Sequence, residues 1–372
     1  MKLIYVANIR LPTEKAHGIQ IMKMCEAFAE KSTEVELLVP MRWNDLKQDI
    51  FDFYNIKRIF RITKIPCFDM VSFDFFNIGF LVSTVSFLIF AKIYLFFRKY
   101  SVLYSREQLM GFFFKNYILE VHTLPEKIGY FRRCLLNRAK KIIILTGLMK
   151  KRLMGAGIPE SKFLVSSDAV DIKEFDIGVS KEVAREKLKL PQDKKIILYT
   201  GSFLLYNWKG VDILLKTAQL LPDNYLLVLV GGHSWEIEKI EREYDLERIK
   251  LVPYVRHQII PFYLKSADIL VIPNKQGDKA SEEYTSPLKL FEYMASHRPI
   301  ISSDLPSLRE ILTEKEALFF KPDSPGDLAK VLSENMDNSA LLQKIADNAF
   351  KKVQGYTWAN RVLQLENIFN IP

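Results

Sequence analysis

The chain alternates short, largely apolar runs with helix-forming stretches, and it does so twice. In the first half "KLIYVAN", "EVELLVP", "SVLYSR", "YILEVH" and "KIIILT" read as strands, separated by segments such as "GIQIMKMCEAFAEK". In the second half "KIILYTG", "YLLVLVGG", "IKLVPYV", "DILVIPN" and "PIISSD" repeat the pattern. A strand that is apolar at every position has both faces buried, as in a parallel sheet covered by helices. Two such halves in 372 residues predict an α/β chain of two domains. Open sheets of this kind bind ligands beyond the carboxyl ends of their strands. The polar stretch "VSKEVAREKLKLPQDKK" reads as a linker with a short helix, which sets the domains at 1–175 and 176–355. "YTWANRVLQLENIF" then reads as an amphipathic closing helix within 356–372.

Several classes are not supported. The three cysteines, Cys25, Cys67 and Cys134, are far apart and form no C-x-x-C pair, so neither a disulfide framework nor a structural zinc is expected. "MKLIYVAN" reads as a strand rather than a signal peptide, and a reduced, cytoplasmic protein is the simplest expectation. The chain has no P-loop, no Rossmann G-x-G-x-x-G and no G-x-S-x-G, which argues against an NTPase, a dehydrogenase and an α/β-hydrolase. It also lacks an Asp-x-Asp pair, so a metal holding a pyrophosphate is not implied.

Net charge is +9, and much of it falls in one run. Lys127, Arg132, Arg133, Arg138, Lys140, Lys141, Lys150, Lys151 and Arg152 have no acid among them. No nucleic-acid-binding motif accompanies them, so nucleic acid is not the expected partner. A solvated helix face and an anionic membrane surface both fit, the latter worth roughly 1 kcal/mol per cation. Leu135, Leu136, Leu148, Met149 and Leu153 lie among the cations, as on an interfacial amphipathic surface. The uncharged Phe75–Ala91 stretch falls short of the ~20 residues of a membrane span and contains Asn77, Gly79, Ser83, Thr84 and Ser86, so it reads as a buried or interfacial helix.

The chemistry-bearing residues follow strand ends. In "TSPLKLFEYMASHRP", residues 285–299, Ser286 suits an N-cap and Pro287 the first helical position. Leu288, Leu290, Phe291, Met294 and Ala295 then make a largely buried helix that stops at His297, where a glycine is usual. Glu292 in its middle has two readings: an i,i+3 pair with Lys289, or an acceptor beneath a helix N-terminus that holds a phosphate. Lys209 and Gly210 follow Gly201 and precede a helix, where glycine allows close approach of backbone to an anion. Gly18 holds the same position in the first half, and Glu120 and His122 close the strand "YILEVH".

In order and spacing, "YTGSFLLYNWKGVDILLKTAQLLP", "LVGG", "VPYVRHQIIPFYLKSADILVIPN" and "TSPLKLFEYMASHRPIISSDLPSLREIL" resemble the C-terminal domain of family 4 glycosyltransferases. "PTEKAHGIQIMKMCEAFAE", "YILEVHTLP" and "KKIIILTGLMKKRLMGAGIPESKFLVSSDAVDIKEF" resemble their first domain, so that nearly the whole chain is covered. The resemblance implies the GT-B fold: two Rossmann-like domains facing across a cleft, with a C-terminal helix crossing back to the first. The first domain would bind the acceptor and the second a nucleotide-sugar.

Residue by residue, Glu292 would hold the nucleotide ribose and Lys209 the donor pyrophosphate. Gly201, Ser202, Thr285 and the backbone near Ser286, Leu288 and Lys289 would assist. Tyr254, Val255 and Arg256 would flank the nucleobase, Gly18 would admit the donor phosphates, and His122 would sit by the transferred sugar. The reaction would retain anomeric configuration without metal, with no cofactor beyond the donor, a UDP-sugar being favoured. A cell-envelope glycan or lipid-linked saccharide, reached at the inner membrane face, is the expected acceptor. Two departures stand out. Tyr284 occupies the place of a common glutamate, with Glu282 and Glu283 just before it, and Ser202 that of a common arginine, a loss that Lys289 is suited to make good. A GT-B epimerase and a non-catalytic nucleotide-sugar binder remain the alternatives.

Overall fold

The structure, a computed structural model, describes residues 1–31, 33–71 and 78–369. Positions 75–77 of the expected apolar helix and the last three residues of the closing segment lie outside these. The chain divides into two compact units, Met1–Ser167 with Trp358–Pro372, and Asp168–Thr357.

The first unit is built on a seven-stranded sheet. Its strands are β1 (Lys2–Val6), β2 (Glu34–Pro40), β3 (Arg61–Ile65), β4 (Val102–Ser105), β5 (Ile118–Val121), β6 (Lys141–Ile144) and β7 (Phe163–Val165). The spatial order is β3-β2-β1-β4-β5-β6-β7, and every pairing is parallel. The closing helix Trp358–Phe369 belongs to this unit and packs on the helix Ala16–Glu30, with the Phe28 and Phe369 rings 5.7 Å apart.

The second unit has β8 (Lys195–Thr200), β9 (Tyr225–Gly232), β10 (Ile249–Pro253), β11 (Ile269–Ile272), β12 (Ile300–Ser303) and β13 (Leu318–Phe320). Their order is β10-β9-β8-β11-β12-β13, again all parallel. The apolar runs are explained by the two cores they feed. Ile196, Leu198, Val228 and Val230 enter one core, while Ile197, Tyr199, Leu227 and Leu229 enter the other on the opposite face. In both units the strand order reverses beside the first strand, at β1/β4 and β8/β11, the switch point where open sheets bind ligands.

Two expectations need correction. The stretch read as a linker is part of the second unit. Ser180 caps the helix Lys181–Leu188, whose buried Arg185 donates to Asp268 at 2.6 Å and to the carbonyls of Ser266, Gln192 and Lys194. The division falls at Ser167/Asp168 because Val170 and Phe175 enter the second unit's core.

The basic run does not form one interfacial surface. Leu135, Leu136, Met149 and Leu153 are buried inside the protein, and several of the cations have protein partners: Arg132 on Gln108, Lys141 on the Ser161 carbonyl, and Lys150 on Glu160.

The apolar helix spans Ile78–Phe96, and its small polar residues point inward. Ser83 accepts from Arg42 at 3.1 Å, and Thr84 accepts from Asn8 at 2.7 Å.

Candidate functional site

In the second unit most of the expected residues gather at the carboxyl ends of β8 and β11. Gly201 follows β8 with φ +133°, a conformation open in practice only to glycine. A Cβ there would also stand 3.1 Å from the Lys289 ammonium. Ser202 comes next and accepts from Lys209 Nζ at 2.9 Å. The buried carboxylate of Glu236 holds the following turn by accepting from the amides of Leu205 and His233, both at 2.8 Å. Gly210, at φ +68°, brings the backbone against the chain leaving β11: a Cβ would meet the Pro273 carbonyl oxygen at 1.8 Å. The adjacent amide of Lys275 donates to the Trp208 carbonyl at 2.8 Å, closing this loop against the end of β11.

Two lysine side chains come within electrostatic reach of each other here. Lys289 Nζ is buried, has no hydrogen-bond partner and lies 3.7 Å from the centroid of the Tyr199 ring. Burial, reinforced by the charge of Lys209, pushes its pKa well below the usual lysine range, and Glu292 only partly opposes this. Burial also lowers Lys209 to about 8, against the pull of Glu236. Among the described residues neither lysine makes an ion pair. Uncompensated ammonium groups are costly away from water, so the pair favours an anionic ligand.

The helix carrying Lys289 runs Leu288–Ala295 and begins one residue later than expected, with Pro287 at the cap. Ser286 is not its N-cap; its hydroxyl accepts from the Asp168 amide at 3.0 Å, within the same unit. The first-turn amides of Leu288 and Lys289 therefore stand at a helix N-terminus whose dipole favours anions, next to half-buried Thr285. At the other end His297 adopts φ +58°, the left-handed conformation usual after a helix.

Glu292 is buried one turn along. It does not pair with Lys289; its Oε1 lies 2.9 Å from His257 Nε2 instead. His257 follows Arg256 directly and packs edge-on against Phe175, with centroids 5.4 Å apart. The preceding loop, Tyr254 to Arg256, leaves the end of β10, and its Tyr254 amide is tied to the Gly232 carbonyl at 3.0 Å. Tyr284 is buried, whereas Glu282 accepts from the Gly277 amide and Glu283 pairs with Lys279.

Gly18 and His122 belong to the first unit. The space a Gly18 side chain would need is taken by Tyr54, whose hydroxyl would lie 2.2 Å from the added Cβ. That hydroxyl bonds both the amide and the carbonyl of Thr13 at 2.8 Å, so protein packing alone accounts for this glycine. His122 follows β5, with Nε2 2.6 Å from Oε1 of Glu120.

Glu120 is wholly buried and accepts from Gln20 and from Arg361, each at 2.8 Å, and from Tyr104. Burial alone would raise its pKa, but Arg361 and His122 hold it well below the carboxylate range. Burial and the charges of Arg106, Lys15 and His122 lower the nearby His17 to about 3. Sequence reading assigned no role to His257, Glu236, His17 or Arg361. His257, His17 and Arg361 lie within quoted stretches and Glu236 just beyond one, but nothing in their spacing singles them out.

Residues 180–352 match the family model described as Glycosyl transferases group 1. The second unit is a group 1 glycosyl transferase domain. The D-inositol 3-phosphate glycosyltransferase of Corynebacterium aurimucosum is 27% identical over 222 residues, 55% of this chain and 50% of its own. The chain thus spans about half the length of the curated relatives it matches. Among solved structures, Anabaena HepE in complex with UDP-glucose aligns with a TM-score of 0.77 at 13% identity, covering 100% of both chains. WaaG, a glycosyltransferase involved in lipopolysaccharide biosynthesis, aligns at 0.72 with 13% identity, also over 100% of both. Likeness at such identity concerns the fold, and the fold of this chain is GT-B. The group 1 domain contains Lys209, Lys289, Glu292 and His257; Gly18 and His122 lie outside it.

Proposed function

We propose that the protein is a retaining glycosyltransferase that moves a sugar from a nucleoside-diphosphate sugar to a cell-envelope glycan or lipid-linked saccharide. The observation that carries this reading is the uncompensated pair Lys209 and Lys289 at the β8/β11 switch point, one helical turn from Glu292. A departing nucleoside diphosphate develops negative charge. A helix N-terminus contributes at most ~2 kcal/mol to such an anion, so cations are needed. Lys209 and Lys289 supply them, and Lys289 stands in for the arginine replaced by Ser202, without requiring a divalent metal. Glu292, oriented by His257, accepts from the ribose hydroxyls, and the Tyr254–Arg256 loop flanks the base.

A UDP-sugar is favoured as donor, in keeping with the UDP-glucose complex of HepE. In the first unit His122, fixed by Glu120, lies by the transferred sugar while the acceptor attacks on the leaving-group face. The envelope acceptor accords with the lipopolysaccharide role of WaaG and implies action at the cytoplasmic side of a membrane.

Calorimetry with UDP and UMP tests the anion site. UDP should bind more tightly than UMP, and replacing both lysines should abolish the difference. Equal affinities in the wild type would remove the lysines from diphosphate binding.

A further inference from the structure

We propose that the outward face of the Ile78–Phe96 helix, continued by Phe97 to Tyr100, docks on an anionic lipid surface. Ile78, Leu81, Ile89, Ile93 and Phe96 recur at helical spacing and are 60, 50, 42, 53 and 83% exposed. An ordinary surface helix turns its polar side to water. Here the polarity is inverted, because Ser83, Thr84 and Ser86 are buried against the protein while the solvent side is aliphatic and aromatic. The inward residues Phe87, Leu88 and Ala91 are fully enclosed in the first unit, so the helix lies along the surface it would meet rather than crossing it. At 19 residues it presents a stripe of about 28 Å.

The charges on this element indicate the occupant. Lys92, Arg98 and Lys99 are exposed, and residues 78–100 contain no acid. Aliphatic side chains, aromatic ends and cations without acids match an acyl boundary beneath anionic headgroups. The adjoining loop extends the same chemistry: Phe68, 63% exposed, is fixed by its amide to Ser86 Oγ at 2.9 Å. This surface is independent of the sugar-transfer reading and of the basic run at 127–152.

Co-sedimentation tests it. The wild type should bind mixed phosphatidylglycerol–phosphatidylcholine vesicles at low salt, release with added salt and ignore pure phosphatidylcholine. A Phe96→Ser, Phe97→Ser double variant should lose about tenfold or more of this binding, with an unchanged circular dichroism spectrum and melting temperature. A variant with Arg132, Arg133, Lys140 and Lys141 changed to Gln should bind like the wild type. Three results would overturn the proposal: no binding of the wild type to anionic vesicles, full binding by the double variant, or a solution dimer that the double variant dissociates.

Discussion

The ammonium of Lys289 stands 3.7 Å from the Tyr199 ring centroid with no hydrogen-bond partner, buried beside the loop that carries Lys209. An unsatisfied buried polar group costs about 1–3 kcal/mol. Lys289→Met, similar in volume, should therefore leave the free protein as stable or more stable in urea while lowering turnover. Loss of one electrostatic stabiliser typically costs ~10²-fold in rate. A destabilised variant with wild-type turnover would show that Lys289 serves the fold.

Lys209→Ala should cost ~10²-fold or more in turnover on the same grounds. Its titration offers a second check. With a folded pKa of about 8 against an unfolded value of about 10.4, the unfolded state binds more protons between these values. Lys209 therefore makes the free protein more stable as pH rises through that window and adds no pH dependence below it. A bound diphosphate favours the ammonium form, so UDP binding just above pH 8 should take up protons and weaken as pH rises further. Calorimetry in buffers of different ionisation enthalpy measures the uptake, and buffer-independent heats would contradict it.

Glu292→Ala should weaken UDP binding by ~1.5–3 kcal/mol, the range for a hydrogen bond to a charged group. His257→Ala should weaken it less, because the carboxylate stays in place but loses its orienting partner. Normal UDP affinity in Glu292→Ala would reduce the pair to a structural bond.

The buried Glu120–Arg361 pair fastens the closing helix to the strand before His122. Removing one partner of a buried pair costs about 3–5 kcal/mol, which is the loss expected for Arg361→Met in chemical denaturation. The depressed pKa of Glu120 contributes stability above its unfolded value of about 4.3, lost as pH falls through the folded value. Arg361→Met removes the largest of the charges that hold this pKa down against burial, so that loss should begin at higher pH. Glu120→Gln should lower kcat more than the donor KM if Glu120 orients His122, whereas a purely structural role would lower only the melting temperature.

The parallel sheets were legible because β1, β8, β9 and β11 are almost wholly buried and so largely apolar. β3 escaped notice because this edge strand exposes Arg61 and Lys64, and β7 and β13 are only three residues long. The helical cap was misplaced by one residue because Ser286 could serve either the helix or the Asp168 amide, and sequence does not say which is nearer. Lys209, Lys289 and Glu292 stand out in the sequence as candidates because they lie just before or just inside helix starts within quoted motifs. His257 and Arg361 act across 35 and 241 residues of chain, a proximity that only folding creates.

Sugar transfer itself is tested most directly by incubating the protein with UDP-, GDP-, ADP- and dTDP-sugars, with and without envelope lipid extract, and following nucleotide release and the product's anomeric configuration by NMR. The account predicts release of nucleoside diphosphate from one donor, UDP-linked by preference, that depends on the extract and yields a glycoside with the donor's configuration. Interconversion of the donor sugar without acceptor, an inverted product, or tight donor binding with no release under any condition would contradict it.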